Sequence, residues 1–200
     1  MHYISSIMFW ISNSLLIPVI VGLLLLFFLS ILLLGNLFAA RRRHQQLVRR
    51  YAPLMHTLEA HAQLQTLQQG LEKDQTTPGF PQVARSLFSA LPEKRTYLVN
   101  SYELQLQKRN TKAMLLTKFG PILGLMGTLI PMGPALVDLS TGAVAGMAYN
   151  MQVAFATTVL GMFAAAIGYI YLQKERTYHQ QELIWLDYLT DTLNRQADAR

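Results

Sequence analysis

The chain has 200 residues, 52% of them apolar and only 14% charged, with a net charge of +6 and no cysteine. About a quarter charged is usual for a soluble globular domain, so this composition argues against one. The lack of cysteine excludes disulfide scaffolds, thiolate metal sites and cysteine nucleophiles.

Residues 1–40 contain no Asp, Glu, Lys or Arg. A membrane span takes about 20 mostly apolar residues, because the hydrocarbon core is about 30 Å thick and a helix rises about 1.5 Å per residue. The run 7–38 is long enough for one span, placed at about 10–38, with helix continuing beyond the bilayer. Residues 1–38 are thus an outward N-terminus and transmembrane helix 1. A cleaved signal peptide would carry its positive charge before a shorter apolar run, whereas here Arg41, Arg42 and Arg43 follow it.

Residues 39–118 read as a cytoplasmic helical region. Leu47, Tyr51, Leu54, Leu58, Leu67 and Leu71 recur at largely helical spacing between polar residues, which predicts an amphipathic helix. Residues 74–81 hold two prolines and a glycine and predict a loop. A second helix is expected over 82–89, and a third from about Glu93 that continues into the next span.

The stretch 119–173 carries one charge, Asp138. It has room for transmembrane helix 2 at 119–139 and transmembrane helix 3 at 147–172, reversing through a short outer turn at 140–146. The tail 173–200 keeps Leu183, Leu186, Leu189 and Leu193 at helical spacing. All the basic flanks, including Arg49, Arg50, Lys112, Lys118, Lys174 and Arg176, fall on one side of these spans. The positive-inside tendency makes that side cytoplasmic, with the N-terminus outside and the C-terminus inside. The basic excess then marks orientation and contact with anionic lipid headgroups rather than nucleic acid. The predicted fold is an all-α membrane protein with three transmembrane helices and long cytoplasmic helical extensions.

Enzyme signatures are absent: there is no GxGxxG, P-loop, GxSxG or HExxH. The histidines are His2, His44, His56, His61 and His179. His56 and His61 are five apart, the wrong offset for one helical face, so they read as surface residues rather than metal ligands; no metal or cofactor is expected. Asp138 falls at the outer end of the second span and reads as a helix-end residue. An acid would point to function only at depth.

The second and third spans are rich in small residues, among them Gly120, Gly124, Gly127, Gly161 and Ala165. Small side chains let helix backbones approach closely in lipid, where water supplies no hydrophobic drive. The first span, with its runs of Leu and Phe, reads as lipid-facing. Thr128 lies ten residues beyond Lys118, roughly 15 Å into the bilayer, and Thr158 eleven residues from Met147, roughly 16 Å from the outer face. Thr157 is its neighbour. Two readings are open. Each hydroxyl bonds its own i−4 carbonyl and does nothing more, or the hydroxyls line a narrow polar path, since a hydroxyl both donates and accepts.

At these residues the chain resembles the MotA/TolQ/ExbB proton-channel family, and its TolQ/ExbB branch in particular. In the second span Gly120-Pro121-Ile122-Leu123-Gly124-Leu125-Met126-Gly127-Thr128-Leu129 is similar to the family's apolar-Gly-Leu-apolar-Gly-Thr pattern. In the third, the run from Ala154 through Thr158 and Gly161 to Ala165 is similar to its A-x-x-x-T-x-x-G-x-x-x-A signature. The resemblance implies five copies in a ring whose pore is lined by spans two and three. It implies two copies of a single-span partner of the ExbD/TolR/MotB type, whose membrane aspartate carries the proton. It also implies a bacterial inner membrane, a periplasmic N-terminus, and conversion of proton motive force into mechanical work. By motif position Thr128 and Thr158 take the family's two pore threonines. Pro131 and Pro134 depart from the pattern and are expected to kink or shorten span two. A non-conducting scaffold that anchors a partner is the alternative reading.

Overall fold

The computed structural model describes residues 2–55, 61–73 and 78–198. Their regular structure is helical: α1 His2–Ser14, α2 Leu16–Met55, α3 His61–Lys73, α4 Phe80–Ser89, α5 Pro92–Arg109, α6 Thr111–Ser140 and α7 Val144–Asp198. Three stretches are long and apolar enough to cross a membrane, within Ile7–Met55, Pro92–Ser140 and Val144–Ala197. Leu58 and His56 lie outside the described residues, as does the middle of the amphipathic run to which Leu58 belongs.

The breaks have local causes. α1 stops before Leu15 because Pro18 has no N–H to offer the Ser14 carbonyl; the Ser14 hydroxyl turns back to the Trp10 carbonyl at 2.9 Å. The helix expected to run unbroken from Glu93 into the second span is instead interrupted at Asn110. There the backbone N–H bonds the Gln107 carbonyl at 3.2 Å, and the side-chain amide lies 3.4 Å from His179 Nδ1. Asparagine competes well for such local bonds and favours helix ends. Conversely, Pro131 and Pro134 do not shorten α6, which runs through both and through Pro121 to Ser140. Pro131 is fully buried, and packing offsets the lost donors.

The 74–81 loop is shorter at its end than expected. Residues 74–77 lie outside the described residues, but Phe80 and Pro81 already belong to α4. Gly79 turns the chain into that helix with φ 107°, which a Cβ would resist, and Pro81 sits where a helix needs no N–H donor. The turn between α6 and α7 is also tighter than 140–146. Gly142 reverses the chain at φ 78°, the Ala143 N–H bonds the Asp138 carbonyl at 2.8 Å, and α7 has begun by Val144.

The chain forms two compact units. One comprises Met1–Leu37 and Thr111–Leu172, the other Phe38–Asn110 and Gln173–Arg200. In the first, α6 packs on α7 along a seam of small residues. On another face, α6 meets α2 through Val19, Leu23 and Ile130, with Leu123 and Met126 alongside. Phe27 of α2 and Phe163 of α7 add a tilted ring contact at 5.7 Å. The apolar window of the first span is 17% buried, against 28% and 39% for the others, and Leu24, Leu25, Phe28, Ile31 and Leu32 are exposed.

The second unit is a helical bundle around Tyr51, Leu67, Leu71, Phe80, Leu87, Leu186 and Leu189. Leu186, Leu189 and Leu193 of the predicted tail stripe are buried in it. Phe80 stands edge-on to both Tyr51 and Trp185, with centroids at 5.5 and 5.6 Å. Truncating a fully buried phenylalanine costs about 3–5 kcal/mol. Phe80→Ala is therefore expected to lower the melting temperature of this unit sharply, as read by Trp185 fluorescence in a Trp10→Phe background.

Candidate functional site

α6 presents three faces at about 100° per residue. Leu123, Met126, Ile130 and Gly133 meet α1 and α2: Leu123 lies against Gly22, Ile130 packs with Val19 and Leu23, and Gly133 lies under Phe9. Gly120, Gly124 and Gly127 meet α7, Gly120 and Gly124 against its backbone and Gly127 against the Thr157 side chain. A Cβ at Gly120 would lie 2.7 Å from the Gly161 carbonyl oxygen and 3.1 Å from Ala165 Cβ. A Cβ at Gly127 would lie 2.6 Å from Thr157 Cβ. Gly168, on the same stripe of α7, faces Leu116 and Ala113 in the same way.

Thr128 occupies the third face, one residue past Gly127 and about 180° from the middle of the face toward α1 and α2. Thr158 is one residue past Thr157 on α7. In two antiparallel right-handed helices, the residue after each seam residue turns to the same side of the pair. Thr128 and Thr158 therefore share one face of α6/α7, turned away from α2, within about one helical turn of each other. Both are half-buried, whereas Thr157 is 5% exposed against Gly127. Leu125, Met132, Phe155 and Met162 around the two threonines are exposed and apolar.

Each hydroxyl bonds its own helix. Thr128 donates to the Leu125 carbonyl at 2.7 Å. Thr157 donates to the Ala154 carbonyl at 2.8 Å, and Thr158 to the same oxygen at 3.4 Å. Donation leaves the hydroxyl oxygens as acceptors. The Thr158 bond is the longest of the three and the easiest to exchange for another acceptor. Between Pro121 and Met132, and between Val153 and Gly168, these threonines are the only side chains with polar atoms. The face offers hydroxyl oxygens as hydrogen-bond acceptors, but it holds no group that takes up a proton.

Asp138 is engaged elsewhere. Its Oδ2 accepts from Asn150 Nδ2 at 3.0 Å, and its carboxylate covers Gly146, where a Cβ would come within 2.6 Å. It clamps the α6–α7 turn, a role that needs an acceptor and no charge. Asp138→Asn is expected to keep wild-type activity, and Asp138→Ala to lose about 1 kcal/mol of stability, measured as thermal melting of the extracted protein.

The second unit holds a polar cluster that the sequence reading did not single out. The Tyr102 hydroxyl donates to Glu182 Oε2 at 2.7 Å. Glu175 pairs with His179 Nε2 at 2.8 Å. Burial pushes the Glu182 carboxyl above the ordinary carboxylate range and Glu175 adds to the rise, while the Tyr102 bond, His179 and Arg109 oppose it. Burial also pushes the Tyr102 phenol up, helped by the charge of Glu182. His44 stacks on Tyr178 at 3.9 Å. Its buried Nδ1 has no hydrogen-bond partner, and burial lowers its affinity for a proton. One signal was present in the sequence: 175, 179 and 182 continue the helical stripe of Leu186, Leu189 and Leu193.

The model of the MotA/TolQ/ExbB proton channel family matches residues 82–185, just over half of the chain. The match takes in the glycine seam and all three threonines. No curated protein and no solved structure matches the chain.

Proposed function

We propose that this chain, which belongs to the MotA/TolQ/ExbB proton channel family, is the proton-channel subunit of an inner-membrane motor of the TolQ/ExbB kind. Five copies form a ring, and the α6/α7 face bearing Thr128 and Thr158 lines its pore. Two copies of a single-span ExbD/TolR-type partner stand in that pore, and a membrane aspartate of the partner carries the proton. The bundle of the second unit is cytoplasmic and the N-terminus periplasmic. Proton flow through the ring performs mechanical work on the partner.

The observation that supports this reading is the shared threonine face. It offers two hydroxyls on a side of the helix pair that the chain itself leaves uncovered, with no carboxyl among them. A path built this way solvates an acid and depends on another chain to supply it. The self-bonded hydroxyls favour the second reading, a non-conducting scaffold in which the threonines only pack. Native mass spectrometry of the detergent-extracted protein, alone and co-expressed with its gene neighbours, separates the two. A ring of five that gains two copies of a small single-span chain is the expected result. A monomer or dimer that recruits none would leave the threonines without a pore and favour the scaffold.

A further inference from the structure

The open face of α6/α7 carries further hydroxyls toward one end and none toward the other. Thr117 lies eleven residues before Thr128 on α6, and Tyr169 eleven residues after Thr158 on α7. Eleven residues make about three turns, so each falls within about 20° of its threonine and about 16 Å along the axis. The helices run antiparallel, so both steps go the same way, toward the end where the chain passes into the second unit. The seam fixes the level: a Cβ at Gly168 would lie 2.7 Å from Leu116 Cβ and 3.1 Å from Thr117 N. Thr117 and Tyr169 each follow a residue of that contact, and so turn to the same side as Thr128 and Thr158. Toward the other end the face runs on through Met132 and Leu139 of α6 and Met151 and Met147 of α7, with no hydroxyl among them. Asp138 and Asn150, also at that end, are bonded to each other. We propose that Thr117 and Tyr169 form a second hydroxyl station, through which the proton leaves the pore at the end that joins the second unit.

The two side chains bring complementary groups. The Thr117 hydroxyl is half-buried and donates to the Ala113 carbonyl at 2.9 Å, which leaves its oxygen as an acceptor. Pro121, on the same face, has no N–H for the Thr117 carbonyl, so a backbone acceptor lies beside the hydroxyl. Tyr169 is 55% exposed. Its hydroxyl stands at the far end of the ring, out of reach of the carbonyls of its own turn, and offers both a donor and an acceptor. Acceptors on one helix and a donor–acceptor on the other can hold a water between them. The partner's acid gives its proton to pore water, and the station holds the water through which a proton reaches the solvent. A carboxyl O–H breaks, a water O–H forms, and both side chains end as they began. A tyrosine near the end of a span also suits the membrane interface through its ring alone, so the test must separate ring from hydroxyl. The inference rests on the reading of this face as a proton path.

Proton flux into vesicles holding the chain co-expressed with its gene neighbours, read beside the melting temperature, provides that test. Tyr169→Phe keeps the ring and removes the hydroxyl. Flux should fall about tenfold, the factor that one net hydrogen bond is worth, with melting close to wild type. Thr117→Val should do the same. The double variant should lose no more than the larger single loss, because both groups hold one water. Tyr149→Phe is the control. Tyr149 is also exposed, but it lies toward the other end of α7 and about 180° from Thr158, so this variant should conduct like wild type. Full flux in Tyr169→Phe and Thr117→Val, beside a conducting wild type, overturns the station and leaves the path at Thr128 and Thr158 standing. An equal loss in Tyr149→Phe, or losses that multiply in the double variant, also overturns it, since the hydroxyls then do not act as a pair. A wild-type complex that carries no flux removes the proton path itself, and the station with it.

Discussion

Gly161→Leu is expected to abolish folding of the α6/α7 hairpin. A Cβ at this position would lie 2.5 Å from the Gly120 carbonyl oxygen, 2.9 Å from Gly124 Cα and 3.1 Å from Gly124 N. All three are backbone atoms of a helix, so no rotamer change relieves the clash, and the rest of the leucine adds to it. The helices must separate, and separation removes the dispersion contacts that hold membrane helices together in the absence of a hydrophobic drive. Gly120 and Gly124 face the same seam from the other side, so nothing nearby can yield in compensation. Gly35 supplies the control, since a Cβ there meets nothing within 4 Å. Gly35→Ala should be neutral or stabilise by up to about 1 kcal/mol through helix propensity. The measurement is yield, monodispersity and melting temperature of the detergent-extracted variants. A Gly161→Leu protein that melts like wild type would mean the seam does not hold the hairpin.

That seam was legible in the sequence because its signal is local. Glycine and alanine at helical spacing inside an apolar run point to close approach, and Gly120, Gly124, Gly127, Gly161 and Ala165 all lie in the seam. The number of spans was legible for the same reason: charge is absent from 1–40 and nearly so from 119–173. What was not legible depends on partners distant in the chain. Asn110 breaks the α5–α6 helix where its side chain meets His179, 69 residues on. Glu182 gains its meaning from Tyr102, 80 residues earlier. The three threonines could not be separated by composition either. Only the match of Thr157 to Gly127 across the seam shows which of two adjacent hydroxyls is enclosed and which turns to the open face.

That separation makes Thr158→Val the sharper test of function. Valine replaces the hydroxyl by a methyl at nearly constant volume, and both residues suit a half-buried helical position. The bond lost, at 3.4 Å to the Ala154 carbonyl, contributes little to stability because it is long. The variant should assemble and melt like wild type, yet lose proton-dependent work entirely, since no hydroxyl would remain on the open face of α7 to join Thr128 in solvating a partner's acid. Thr157→Val should behave in the opposite way. It removes a buried bond of 2.8 Å, costs about 1 kcal/mol, and leaves conduction intact because that hydroxyl is enclosed by Gly127. Proton flux into vesicles holding the co-expressed complex, measured beside the melting temperature, reads both effects at once. If Thr157→Val alone stopped the flux, the proton would have to pass through the seam rather than over the open face. If both variants conducted fully, the hydroxyls would be packing groups and the scaffold reading would gain. Loss confined to Thr158→Val, with melting unchanged, is the outcome that the shared face requires.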